Sequence, residues 1–320
     1  LMLLESIISQ SSFDNVLTQA TPVQNILELT VDVTPDSIYW VNPYLSSDFP
    51  EITCDKKYFF LYSTDHDDSV GGIYWGKADN LDGSDFVELG LIISGSQAET
   101  PFLYRFPEQS ERIYLYYHTN RSEIGNGNVQ RTRLITTTGG LLHTATWTDR
   151  GRPLGFEAGD AHNGYFRFWD YNSELRGVHY KGGNDTPIHQ KSTLASDGFS
   201  VTRGETFLHR NLLADDLYYL FPFGEFFTLF GQLWWIGDID YVFSERPADP
   251  FMRRAICKCS DIFEISEFIG YINSTPEFGY ESEIYIEGTT AHIYTKNGFD
   301  TDATHIQYST FDLSQLYNYL

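Results

Sequence analysis

The chain has 320 residues and carries 21 Lys and Arg against 44 Asp and Glu, a formal charge of −23. That field repels phosphate backbones and anionic lipid heads, which sets nucleic acid and membrane surfaces aside and leaves glycans open as partners. Folding at this length buries about 75% of the unfolded chain's surface, so one large β unit or two average domains would have a sufficient core.

Residues 1–8 are mostly apolar but have no basic leader and no small-residue cleavage site, a poor match to a signal peptide. Opening on Leu fits a piece of a longer polypeptide. No apolar stretch approaches the roughly 18 residues that a membrane-spanning helix needs. Residues 1–40 are expected to form a lead-in, helical around residues 13–20.

From residue 41 onwards strand patterns dominate, and they recur in a set order. Aromatic runs begin at Tyr58, Ile113, Arg176, Leu233 and Ala291, spaced by 55, 63, 57 and 58 residues. A preceding strand opens each copy, at Val41-Asn42-Pro43-Tyr44, Glu99-Thr100-Pro101-Phe102, His162-Asn163-Gly164-Tyr165, Glu225-Phe226-Phe227 and Glu283-Ile284-Tyr285. A third strand and a turn follow, most clearly at Gln190-Lys191-Ser192-Thr193-Leu194 and Ser196-Asp197-Gly198-Phe199. Asp and Gly suit such turns through side-chain capping and left-handed backbone. Five copies of three or four antiparallel strands predict an all-β fold, a five-bladed β-propeller over residues 41–320. The last copy is short, so closure is expected to borrow a strand from the lead-in. A β-sandwich is the competing fold, but it would not produce five ordered repeats.

Three cysteines, Cys54, Cys257 and Cys259, make no disulfide framework. Cys257 and Cys259 sit two apart on one strand face without a second ligand pair, so they are read as thiols and not as a zinc site.

In a propeller the first strand of each blade lines the channel, and the loop after the second strand reaches the same end. This gathers Asn42, Glu99, His162 with Asp160 before it, Glu225, and Glu281 with Glu283. The loops add Asp65, His66, Asp67, Asp68, His118, Asp238, Asp240, Asp300 and Asp302. Crowded carboxylates raise one another's pKa, and a protonated acid beside an ionised carboxylate is what glycoside cleavage requires. The alternative for each carboxylate is a backbone N–H contact or a structural cation in the channel. His118 and His162 could equally be satisfied structural histidines. No cofactor is required. No phosphate-binding glycine loop or Gly-x-Ser-x-Gly elbow occurs.

Glu99-Thr100-Pro101-Phe102, followed by Tyr114-Leu115-Tyr116-Tyr117-His118, resembles the second blade of the five-bladed propeller glycoside hydrolases, the arabinanases, β-xylosidases, invertases and neoagarobiose hydrolases. Ser196-Asp197-Gly198-Phe199 is similar to their recurrent turn. The resemblance covers residues 40–315 in architecture. It implies a base or nucleophile from blade one, a modulating Asp160 and an acid Glu225. The chain departs from the pattern at Trp40-Val41-Asn42-Pro43, where Asn42 stands at the position of the base. Asp48, Asp65 or His162 would then take over, or chemistry would be lost.

The expected function is therefore a glycoside hydrolase acting on a poly- or oligosaccharide. Glu225, Asp160, His162, Glu99 and Asp65 would be catalytic, and Asn42, His66, His118, Trp40 and Glu283 would contact sugar. A non-catalytic glycan- or receptor-binding propeller is the alternative, followed by a polysaccharide lyase. High acidity and few cysteines fit an extracellular or surface-exposed setting.

Overall fold

The fold is given by a computed structural model, which describes residues 16–17, 24–26, 38–64, 71–94, 97–109, 111–119, 131–156, 162–181, 188–207, 210–211, 214–241, 253–272, 280–296 and 306–320. Five antiparallel sheets form the five blades of a propeller. Blade one contains β3 (Ile38–Leu45), β4 (Tyr58–Thr64), β5 (Gly72–Ala78) and β6 (Val87–Ser94). Blade two contains β7 (Glu99–Arg105), β8 (Ile113–Thr119), β9 (Arg131–Thr137) and β10 (Thr148–Gly151). Blade three contains β11 (Arg167–Tyr171), β12 (Glu174–Tyr180), β13 (His189–Leu194) and β14 (Val201–Phe207). Blade four contains β15 (Arg210–Asn211), β16 (Ala214–Leu229), β17 (Gln232–Tyr241), β18 (Arg253–Asp261) and β19 (Glu264–Ile272). Blade five contains β20 (Tyr280–Glu287), β21 (Thr290–Lys296) and β22 (Ile306–Asp312).

The lead-in supplies the remaining outer strands. β2 (Gln24–Ile26) pairs antiparallel with β22 and becomes the fourth strand of blade five. β1 (Val16–Leu17) pairs in parallel with Tyr271 and Ile272 on the edge of blade four. The helix expected over residues 13–20 is therefore replaced at residues 16–17 by extended backbone, because the open edge of β19 offers hydrogen bonds there. Among the described residues no helix is long and apolar enough to cross a membrane.

Why the second strands read as unbroken apolar runs follows from the packing. Each blade is covered on both faces, so both side-chain phases of a strand are buried. On β4, Phe59 and Leu61 face blade two, whereas Tyr58, Phe60 and Tyr62 face blade five. On β17, Leu233 and Trp235 face blade three, and Trp234 and Ile236 face blade five. Five apolar clusters fill the five seams between blades. Cys257 and Cys259 are free, buried thiols in the seam between blades three and four, and burial pushes both well above the usual thiol range.

The Ser196–Phe199 turn joins β13 to β14. The Asp197 carboxylate accepts the backbone N–H groups of Phe199 and Ser200, both at 2.7 Å. Gly198 has φ +69°, and a Cβ there would meet the rings of Phe106 and Tyr114 at 2.6 Å. Only glycine fits that approach.

Candidate functional site

The inner strands β3, β7 and β20 kink near their starts and β16 kinks in its middle, and the kinks set the level of the axial side chains. One extra residue separates Tyr39 from Asn42 on β3, Glu99 from Phe102 on β7 and Tyr280 from Glu283 on β20, relative to their partner strands. On β16 the break between Tyr219 and Gly224 is longer, three extra residues. Trp40, Thr100 and Tyr165 hold φ values of +46°, +47° and +55°, each two residues before Asn42, Phe102 and Arg167 respectively. Such bulges re-aim side chains and cluster at the rims of closed β structures.

This layer holds a buried ion pair. Arg167 of blade three bonds Glu283 of blade five through Nη2, and the same nitrogen donates to Asn42 Oδ1 of blade one at 3.4 Å. Asn42 Nδ2 donates to the carbonyl of Pro101 in blade two at 2.8 Å. The guanidinium lies over the Phe102 ring, 4.9 Å from its centroid. Burial lowers the Arg167 pKa, while Tyr44 and Glu225 nearby raise it. The axis, where the sequence leaves room for a structural cation, carries a protein cation at this level. Among the described residues no group of three or more His, Cys, Asp or Glu side chains is placed to hold a metal.

Towards the entry ends of the inner strands lies a buried polar cluster. His118 Nδ1 is 3.0 Å from Glu99 Oε1, and Gln97 Nε2 donates to the same oxygen at 3.2 Å. His118 and His162 have ring centroids 5.1 Å apart, and the Tyr165 ring packs against both. Burial is the main cause that pushes His162 down to about 2, with His118 adding to it, so its imidazole is neutral. Gly164 seats the pair: a Cβ there would lie 2.7 Å from His118 Cδ2 and 2.8 Å from His162 Cε1. Trp40 packs with Tyr39, Leu220 and Phe223, so it is core and offers no open face to a sugar. Asp238, expected at an open end, is wholly buried and accepts the Ser282 N–H at 2.6 Å and hydroxyl at 2.8 Å, tying blade four to blade five.

A cavity of about 550 Å³ opens towards the exit ends of the inner strands. Arg167 and Asn42 form part of its wall, with Phe102, Tyr104, Trp169 and Tyr285 among its aromatic sides. Glu225 sits in this wall, half-buried, and accepts a hydrogen bond from Trp169 Nε1 at 3.0 Å. Burial raises Glu225 to about 7, against the opposing pull of Arg167 and the Trp169 bond. Burial likewise lifts Tyr44 to about 12, and its hydroxyl accepts the Leu103 N–H at 2.8 Å. Asp48 and Asp170 are exposed carboxylates on the same lining.

The sequence places all these groups at one end, and the structure separates them. Glu99, His118 and His162 come together, and Asn42 and Glu283 meet through Arg167. Glu225 lies apart from the Glu99–His118–His162 cluster, in the exit-end cavity. The reason is the register of β16: the strand begins at Ala214, so Glu225 is an interior residue one step beyond Gly224, which pairs with Gly237. Asp65, His66, Asp67, Asp68, Asp160, Asp300 and Asp302 lie outside the described residues. Asp240 and Glu281 are in β17 and β20, and only their backbone is described. Arg167 and Trp169 are the site residues that sequence reasoning missed. Their one signal was a lone basic residue inside the aromatic run Phe166-Arg167-Phe168-Trp169.

No family model and no curated protein matches the chain. Solved structures do. A family 117 glycoside hydrolase from the marine bacterium Zobellia galactanivorans superposes with a TM-score of 0.59 at 12% identity, over 94% of this chain and 92% of that one. An alpha-L-arabinofuranosidase from Lactobacillus brevis gives 0.57 at 8% identity, over 95% and 93%. An endo-arabinase from Bacteroides thetaiotaomicron gives 0.54 at 10% identity, over 90% and 97%. At these identities the likeness is one of fold. The chain has the five-bladed β-propeller fold of these glycoside hydrolases.

Proposed function

We propose that the chain is a glycoside hydrolase whose substrate, a poly- or oligosaccharide, enters the exit-end cavity. The observation that carries this reading is Glu225, a carboxyl raised to about 7 in the wall of an aromatic-sided cavity of about 550 Å³. A carboxyl of that pKa is largely protonated in mildly acidic solution and about half protonated near neutrality, and it can give its proton to a leaving glycosidic oxygen. Aromatic side chains on the wall, such as Tyr285, suit the apolar faces of sugar rings.

The reaction proceeds by direct water attack. Glu225 protonates the leaving oxygen, the bond from that oxygen to the anomeric carbon breaks, and water bonds to the carbon. The proton lost by the water passes to a side-chain carboxylate at the rim, Asp48 or Asp170. The negative rim also stabilises the oxocarbenium-like transition state. Asn42, whose amide bridges Pro101 and Arg167, takes no part in proton transfer. Glu99, His118 and His162, which lie apart from this cavity, are assigned a structural role at the entry ends of the inner strands.

The engaged Asn42 amide also favours a second reading, a propeller that binds glycans without cutting them. Mass spectrometry of products from a panel of neutral and uronate-containing glycans separates the two. Fragments heavier by one water support hydrolysis. Binding without fragments across the panel replaces it with the second reading. Fragments formed without added water would overturn both in favour of a lyase.

A further inference from the structure

The exit face carries a second concavity. A groove of about 520 Å³ follows the seam between blades five and one. Lys57, Asn80 and Asp82 line it from blade one, and Glu287, His292 and Tyr308 line it from blade five. Its polar groups are interlocked. The Tyr58 hydroxyl donates to Glu287 Oε1 at 2.5 Å, and Lys57 Nζ reaches the same oxygen at 3.2 Å. His292 and Tyr308 are both buried and stacked at 29°, and His292 Nδ1 meets the Tyr308 hydroxyl at 2.7 Å. That bond fixes the imidazole and leaves Nε2 as the ring atom able to bond a ligand.

One aromatic ring joins the groove to the cavity. Tyr285 forms part of the cavity wall. Its ring centroid is 6.3 Å from that of Tyr58 and 6.3 Å from that of His292, both of which line the groove. A ligand leaving the cavity over Tyr285 therefore passes onto a groove lined by an imidazole, an amide and carboxylates. Interleaved hydrogen-bonding groups and tyrosine rings match the hydroxyls and apolar faces of sugars. Asp79, Asp82 and Glu287 outnumber Lys57 on the lining and repel polyanions.

We propose that this groove is an accessory run of glycan subsites continuous with the Glu225 cavity across Tyr285, so that the ligand is an oligosaccharide of several neutral sugar units. The proposal rests on the reading of that cavity as a sugar site.

Calorimetric titration tests it, with full-length Glu225→Gln protein and arabino-, galacto- and fructo-oligosaccharides from disaccharide to hexasaccharide. The expected result is affinity that climbs about tenfold or more with chain length in at least one series, worth about 1.4 kcal/mol. Adding His292→Asn should erase that increment and leave disaccharide affinity within about twofold. Lys57→Ala, on the exposed lip, should reduce the increment without any change in thermal stability. Affinity independent of length, or a length increment untouched by both substitutions, overturns the groove and leaves the cavity reading standing. Binding of no oligosaccharide at any length overturns the cavity reading and the groove with it.

Discussion

Arg167 and Glu283 meet across the propeller axis, one from blade three and the other from blade five, and both are almost fully buried. A buried cation of this kind is tolerable only when compensated, and removing one partner strands the other. Arg167→Met is therefore expected to destabilise the fold by about 3–5 kcal/mol. The double variant Arg167→Met/Glu283→Leu should recover most of that loss, since no lone charge remains. Urea denaturation of the three proteins checks it, and equal losses in the single and double variants would refute the pairing.

Glu225 links stability to pH. Its pKa is raised to about 7 in the fold, above the ordinary carboxylate value it regains on unfolding. The associated stability is complete below the unfolded pKa and is lost as pH rises through the folded one. Wild type should lose about 1–3 kcal/mol relative to Glu225→Gln between pH 4 and pH 8. Parallel stability profiles for the two proteins would contradict the raised pKa.

Trp169 tunes the same acid. Its indole N–H bonds Glu225 and favours the ionised form. Trp169→Phe removes that donor, so the Glu225 pKa should climb further. The alkaline limb of the pH–rate profile should then move upward by about half a unit to one unit. A limb that stays in place or moves downward counts against Glu225 as the acid.

Gly164 is predicted to be intolerant of any side chain. Gly164→Ala would press a methyl group against the His118 and His162 rings and should cost about 1–3 kcal/mol. A thermal melt within one degree of wild type would show that the cluster gives way easily.

The lead-in closes the ring of blades. Deleting residues 1–26 removes β2 from blade five and β1 from blade four. The edge of β22 is then left unpaired, and proteolysis should begin in blade five. Limited digestion with mass mapping reads this directly, and first cuts elsewhere would dissociate the lead-in from closure.

Much of the architecture is legible because blades buried on both faces force continuous aromatic runs such as Tyr58–Tyr62, and those runs recur. The expectation that the lead-in lends a strand follows from the same count of strands. What the sequence hides is register. Pro222 marks a break inside β16, since proline within a strand points to a bulge, but it does not tell that three extra residues are inserted, so Glu225 reads as an entry residue when it faces the exit-end cavity. The Arg167–Glu283 contact was equally hidden, since its partners lie more than a hundred residues apart and meet only once the ring has closed. The Glu99–His118 contact was easier, because adjacent strands of one blade carry it.

The most direct measurement compares turnover of one cleaved glycan by wild type, Glu225→Gln and Glu99→Gln, with folding of each verified by circular dichroism. Glu225→Gln is expected to abolish release of water-bearing fragments, while Glu99→Gln retains most of it. Full activity in Glu225→Gln with loss in Glu99→Gln would move the chemistry to the Glu99–His118–His162 cluster and contradict the assignment.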